Sequence, residues 1–274
     1  MTTETLRDLR FAPSDPAGAR TLTPAQVRRY NAAGYVAPFD VLAPAEVAAL
    51  RARVDAWLDA MGPDGAYGIN CYQARLATLW DLARHPAIVD LVADLVGPDV
   101  LCWATAILSK PPRDPRAVPW HQDAGFWHLS PARTVTVWLA VDDADAGNAA
   151  MRFLPGTHAG GELPMEAVAG AAFDRGIADV ARLGAPVTNA LRAGQCSLHA
   201  DMLVHGSEAN RSDRRRCGLT LRYCPPSVAI TDDGWRRGVE AVLCRGAPGG
   251  WAVHPRPATD DIRGVTSPRA VGNN

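Results

Sequence analysis

The spacing of apolar residues in this chain changes period near Val100, and that change limits the folds open to it. Before Val100, apolar side chains recur every three or four positions. Val47, Leu50, Val54, Trp57 and Leu58 do so after Pro44, and Leu76, Leu79, Ile88, Leu91, Val92 and Leu95 follow. This is the stripe of amphipathic helices. Thr23-Pro24-Ala25-Gln26 has the form of a capping box with proline at the first helical position, which predicts a helix to about Ala33. A second helix is expected after Pro44. A third helical stretch runs from about Ala74 to Val96 and is broken or restarted at Pro86, because proline lacks the backbone donor and crowds the preceding turn. After Val100, short strand signals dominate: Val100–Ser109, Thr134–Val141, Met151–Leu154, Gln195–Leu198, Leu203–His205 and Arg216–Tyr223. Glu240–Cys244 and Trp251–His254 read as a closing hairpin over Gly246–Gly250. Many short strands after packing helices predict a mainly β fold with N-terminal α-helices, a double-stranded β-helix barrel of jelly-roll or cupin-like type. One domain spanning 1–274 is expected, with 1–20 and 258–274 as flexible tails. The Gly- and Ala-rich segment 159–193 is expected to form a lid that orders on substrate binding.

Within the strand-rich half, His121-Gln122-Asp123 is answered by His205. Two histidines and one carboxylate are the residue types of a facial triad, which leaves metal positions open for other ligands, as non-haem Fe(II) oxygenases require. In a strand, residues i and i+2 share a side. His121 and Asp123 are therefore expected to reach one metal while Gln122 points away. Beyond His205, the turn formers Gly206, Asn210, Ser212 and Asp213 reverse the chain. From Arg216 the residues alternate: Gly218, Thr220 and Arg222 on one side, Cys217, Leu219, Leu221 and Tyr223 on the other. A guanidinium beside such a metal suits the far carboxylate of 2-oxoglutarate, because it offers two parallel hydrogen bonds and stays charged when desolvated. Arg216 shares parity with the small residues Gly218 and Thr220, which leave room for that cosubstrate. Arg215 has the opposite parity, and Arg214 lies in the loop. Both are read as solvated charges that compete with Arg216 for the role.

Taken in order, the segments Ser109-Lys110-Pro111-Pro112, Trp120-His121-Gln122-Asp123, Trp138-Leu139-Ala140-Val141-Asp142-Asp143, Arg152-Phe153-Leu154-Pro155-Gly156-Thr157-His158, His205-Gly206-Ser207 and Arg222-Tyr223-Cys224-Pro225-Pro226 resemble the phytanoyl-CoA dioxygenase family of Fe(II)- and 2-oxoglutarate-dependent oxygenases. The resemblance runs from about Leu22 to about Pro255. It implies His121, Asp123 and His205 as metal ligands and as the catalytic centre, with Fe(II), 2-oxoglutarate and O2 as cofactor and cosubstrates. It implies Arg216 and Ser207 as ligands of the 2-oxoglutarate carboxylate, with Trp138 and Lys110 in the same pocket. The implied reaction is hydroxylation of an unactivated C–H bond of a small metabolite, with release of succinate and CO2. Halogenases of the family carry Gly or Ala where Asp123 stands, so halogenation is disfavoured. Desaturation, cyclisation or a catalytically silent cupin-like binding protein are the alternatives.

The remaining histidines carry less. His158 lies in a turn and is read as structural, and His85 precedes a proline at a helix start and is read as a cap. His199 is read as a satisfied barrel residue. Trp127 and His128 follow the metal tripeptide in a loop that is expected to leave the barrel beside the iron, which makes them candidate substrate contacts. Composition excludes several partners. A formal charge of −1 over 274 residues offers no field for nucleic acid or an anionic membrane. Forty-seven per cent hydrophobic residues make the chain globular rather than disordered. No apolar run reaches spanning length and no signal-like segment opens the chain, so a cytoplasmic protein acting on a small molecule is expected. The six cysteines form no C-x-x-C pair and are expected to be buried thiols rather than disulfides or zinc ligands.

Overall fold

A computed structural model describes residues 7–266. Helix α1, Pro24–Ala33, opens with the capping box: Gln26 N donates to the Thr23 hydroxyl and Thr23 N to Gln26 Oε1. Gly34 ends it in the left-handed conformation at φ 80°, where a residue without Cβ is favoured. Helices α2 (Pro44–Met61), α3 (Ala77–Ala83) and α4 (Pro86–Val96) follow, the last two divided at Pro86.

Ten strands form two antiparallel sheets. They are β1 Tyr35–Asp40, β2 Val100–Lys110, β3 Val118–His121, β4 Val135–Ala140, β5 Arg152–Phe153, β6 Val187–Thr188, β7 Gln195–Ala200, β8 His205–Ser207, β9 Arg216–Cys224 and β10 Val242–Arg245. The main sheet runs β1-β7-β4-β9-β2-β10, and the smaller one β3-β8-β5-β6. From β2 to β5 and from β6 to β9 the chain alternates between the sheets. This is the two-sheet winding of the expected double-stranded β-helix.

Period two decides what each sheet face does. Val135, Val137 and Leu139 of β4, Cys196 and Leu198 of β7, and Cys217, Leu219, Leu221 and Tyr223 of β9 join Val54, Trp57, Leu79, Ile88 and Val92 of the helices in one core. Each fully buried aliphatic side chain there contributes roughly 1.5–3 kcal/mol. The opposite face of the main sheet looks across to the smaller sheet, and the cavity between them holds the candidate site. All six cysteines are buried, and none forms a disulfide.

Two expectations change, and one strand appears for which none was stated. The closing hairpin does not form: β10 pairs with β2, and Val253 reaches Ala241 only through an isolated parallel bridge. The edge of β2 takes β10 in place of its neighbour in sequence. Strand β1 carries Pro38 and gives a broken strand signal, yet it forms at the sheet edge, where a missing donor is tolerated. The described parts of both expected tails are packed. Arg7 donates to Ala124 O at 2.7 Å and to Trp127 O, Phe11 meets the His158 ring edge-on at 4.4 Å, Asp260 binds Thr78 N and Oγ at 2.8 Å, and Ile262 enters the core. Residues 1–6 and 267–274 lie outside the described residues.

Candidate metal centre

His121 ends β3 and His205 begins β8, and the two are direct partners across the antiparallel pair. Register alone therefore brings them together, with ring centroids 4.1 Å apart. Asp123 lies just past the strand, opening the short 3-10 turn Asp123–Phe126. The strand geometry expected for the tripeptide thus holds for its first residue, and the turn delivers the third. One ligand atom from each of His121, Asp123 and His205 lies within 4.8 Å of the others.

Both imidazoles are set the same way. His121 Nδ1 donates to Pro119 O at 2.8 Å and His205 Nδ1 to Leu203 O at 2.9 Å, each a carbonyl two residues upstream. That fixes the tautomer and leaves Nε2 as a free lone pair aimed at Asp123, the arrangement metal-binding histidines need. The Nε2 atoms stand 3.5 Å (His121) and 3.9 Å (His205) from Asp123 Oδ1. Burial, helped by the His121 ring, pushes His205 well below its ordinary range. Burial alone would raise the Asp123 carboxyl. The His121 and His205 rings set against it and the Arg222 charge offset this, and the group stays well below the usual carboxylate range. Two imidazole Nε2 donors beside one carboxylate fit a divalent transition metal.

Gln122 does point away, and it is buried in doing so. Its Nε2 donates to Gly161 O at 3.0 Å and Met202 O at 2.8 Å, while its Oε1 accepts from Leu163 N at 2.8 Å. It fastens the excursion 159–193 to the ligand strands. That segment is further tied where Ile177 N donates to Trp120 O at 2.6 Å, and it contains its own ladder of Glu166–Ala167 against Arg175–Gly176. It delivers Phe173 edge-on to His121 at 5.2 Å.

A pocket partly open to solvent extends from the triad along the inner face of the main sheet. Arg216 closes its far end. The guanidinium is buried, with Nη2 donating to Ser207 Oγ at 3.2 Å and its centre 5.7 Å from the Trp138 ring. Among the described residues, Arg216 Nε and Trp138 Nε1 have no hydrogen-bond partner. Unmet buried donors are costly unless a ligand accepts from them. A carboxylate from 2-oxoglutarate, held by these two and by Ser207, fits them. The space beside Gly218 is not left for the cosubstrate, however. A Cβ on Gly218 would lie 2.0 Å from Trp138 Cζ2, so the indole occupies the room that the small residue creates.

Lys110 sits opposite Arg216 in the β2–β9 register, but its amine is spent on Arg116 O and Glu208 O, at 2.6 Å each. Burial and the Arg216 charge bring it down to about 7. It stands behind the cosubstrate end rather than in the cavity lining. Trp127 also stands behind the lining, edge-on to Trp103 at 4.7 Å and 5.2 Å from the Arg222 guanidinium carbon. His128 is exposed beside Trp235. The turn after Asp123 sends both away from the metal. Arg214 and Arg215 pair at the surface, Arg214 with Asp145 and Arg215 with Asp142 and Asp55. His158 is structural, with Nε2 3.0 Å from Asn31 O. His85 occupies a helix N-cap position without a capping bond.

Sequence reasoning missed Thr136 and Phe173 and read His199 as a satisfied barrel residue, and all three line the cavity. Strand parity was the available signal for two of them: Thr136 shares the Trp138 side of β4, and His199 the Ser197 side of β7. His199 is not satisfied as expected, since neither ring nitrogen has a partner, and burial lowers it to about 4. Phe173 arrives on an irregular segment and leaves no periodic trace. Next to the site, Asp201 accepts from Thr134 N at 2.9 Å. Burial and the Asp123 charge push its carboxyl up to about 7, although that hydrogen bond pulls the other way.

The profile of the phytanoyl-CoA dioxygenase family matches residues 30–218, which contain both histidines, Asp123 and Arg216. The chain belongs to the phytanoyl-CoA dioxygenase family. Members of this family are Fe(II)- and 2-oxoglutarate-dependent oxygenases. A probable phytanoyl-CoA dioxygenase of Caenorhabditis elegans is 27% identical over 157 residues, which cover 53% of this chain and 50% of that protein. The chain thus spans about half the length of the curated relatives it matches. The non-heme monooxygenase ThoJ is 31% identical in structural alignment, with TM-score 0.73 over 86% of this chain and 90% of that one. The epimerase SnoN, in complex with Fe3+, alpha ketoglutarate and nogalamycin RO, is 25% identical, with TM-score 0.64 over 86% and 93%.

Proposed function

We propose that this phytanoyl-CoA dioxygenase family chain hydroxylates an unactivated C–H bond of a small metabolite. One observation supports this above others. Two histidines with free Nε2 atoms and one carboxylate converge at one end of a pocket, and the far end presents donors around Arg216 that no described residue meets. When bound, Fe(II) with 2-oxoglutarate and O2 supplies oxidative decarboxylation to succinate and CO2, coupled to removal of a hydrogen atom from substrate.

The chain's own residues do the rest. His121 and His205 offer Nε2 lone pairs locked by their Nδ1 bonds. Arg216, Ser207 and Trp138 hold and orient the cosubstrate by its far carboxylate. Leu108, Val118, Met151 and Phe173 give the cavity an apolar lining that excludes water and suits a hydrocarbon part of the substrate. A small amphipathic molecule is the substrate class this supports. We also read 159–193 as the cover of the site, because it brings Phe173 to the metal side and is fastened there by Gln122. Hydrogen exchange with and without substrate tests the cover, which is wrong if protection across the segment is unchanged.

The reading is supported by ThoJ, described as a non-heme monooxygenase. The specific observation for a second outcome is SnoN, an epimerase on the same fold. Incubation with Fe(II), 2-oxoglutarate, labelled O2 and a panel of small amphipathic compounds separates them. Hydroxylation puts one labelled oxygen in the product with stoichiometric succinate. Succinate with an unlabelled, isomerised or dehydrogenated product favours the second outcome. No metal-dependent succinate under any condition removes the oxygenase reading.

A further inference from the structure

The two oxygens of the Asp123 carboxylate face different surroundings. Oδ1 lies on the side where the candidate ligands converge, 3.5 Å from His121 Nε2 and 3.9 Å from His205 Nε2. Oδ2 turns toward the main sheet. There the Thr136 hydroxyl donates to it at 3.3 Å, and His199 Nε2 stands 4.0 Å away.

Cross-strand register explains this grouping. Thr136 is the Cα partner of His199 on one side and of Arg222 on the other. The three side chains therefore form one row across β7, β4 and β9 on the inner face, where cross-strand neighbours interact directly. The Arg222 guanidinium carbon is fixed 5.2 Å from the Trp127 ring and 6.0 Å from that of Trp103. From there its charge acts on Asp123.

His199 is the telling member. It is fully enclosed, and both ring nitrogens lack a partner among the described residues. Such a group is costly unless something satisfies it. Asp123 Oδ2 is an acceptor that a ring movement of about 1 Å would bring into hydrogen-bond range.

We propose that Thr136 and His199 are positioning residues that hold Asp123 by Oδ2, with the Arg222 charge behind them, so that Oδ1 alone is offered to the metal. A carboxylate with both oxygens free can chelate and so take a further coordination position. Held by one oxygen, it leaves the positions that 2-oxoglutarate and O2 need. Outer partners of metal ligands tune affinity in this way. The inference rests on the metal reading of the triad.

The test needs no turnover. Wild type, Thr136→Val, Thr136→Ser, His199→Phe and His199→Gln are titrated anaerobically with Co(II), following the visible d–d absorption. The titration gives affinity, and the band intensity reports coordination number. Thr136→Val and His199→Phe are expected to weaken Co(II) binding by about 10- to 100-fold and to change the band. Thr136→Ser and His199→Gln, which keep a donor, restore most of both. Circular dichroism checks folding, and if Thr136→Val does not fold, the His199 pair decides the matter alone. Wild-type affinity and spectrum in the folded Val and Phe variants would overturn the proposal. So would equal losses in the Ser and Gln variants, which would assign the effect to packing. No Co(II) binding by wild type removes the oxygenase reading and this inference together. Normal wild-type binding with unaffected variants removes this inference alone.

Discussion

Along β9, Cys217, Leu219, Leu221 and Tyr223 turn outward into the helices, while Arg216, Gly218, Thr220 and Arg222 turn inward toward the cavity. The whole strand is buried, so burial does not distinguish the two rows. Chemistry does. The outward row is apolar or, at Tyr223, satisfied, its hydroxyl donating to Ala83 O at 3.1 Å. The inward row and its neighbours hold unmet polar atoms, among them Arg216 Nε, Trp138 Nε1 and both His199 nitrogens. One face stores stability, and the other stores unpaired donors and acceptors that a bound metal and small molecules can satisfy. A two-residue period keeps these demands apart within a single strand.

Substitutions on each face should separate cleanly. The largest effect is expected from His205→Ala. It should remove measurable metal binding and turnover while the apoprotein's unfolding free energy moves by less than about 2 kcal/mol. Metal content and urea denaturation read the two quantities, and a large stability loss would break the division. Leu219→Ala, one strand face away, should do the reverse. It should cost about 2–5 kcal/mol of stability and leave the KM for 2-oxoglutarate unchanged.

Asp201→Asn tests the cost of unusual charges near the inner face through pH. The carboxyl rises from its ordinary 3.8 to about 7 on folding. The folded state therefore holds a proton that the unfolded state releases. That contribution is complete below about pH 4 and is lost as pH rises through about 7. Wild type should weaken relative to the variant by roughly 2–3 kcal/mol between pH 5 and 7. Parallel unfolding curves at the two pH values would contradict it. Arg216→Ala should raise the 2-oxoglutarate KM by about 10- to 100-fold, the worth of a charge-assisted contact. An unchanged KM would move the cosubstrate anchor elsewhere on the inner face.

How much of this was legible in the sequence follows from the range of each signal. The Thr23–Gln26 cap, the break at Pro86 and the alternation of β9 are local, and each appears where its residues predict. The triad was legible because its spacing matches a direct cross-strand pair and one turn. The choice of Arg216 over Arg215 followed from parity. Long-range choices were not legible. Nothing local tells β10 to leave Trp251–His254 for the edge of β2. The same holds for His199, whose side of β7 was readable while its approach to Asp123 depends on three strands in register. Trp127 and His128 were misplaced by one short turn, which rotates the chain away from the direction a continued strand would give.

The fastening by Gln122 has a practical consequence for redesign. Gly161 and Leu163 are pinned by its amide, and Ile177 is pinned to Trp120. Between these anchors the excursion forms a cassette that includes Phe173 and has one further backbone tie, Ala172 N donating to Ala117 O at 2.8 Å. Grafting a different stretch between Leu163 and Ile177 should exchange the wall presented to substrate while the ligand strands keep their geometry. Cutting outside those anchors would pull on the residue that separates His121 from Asp123.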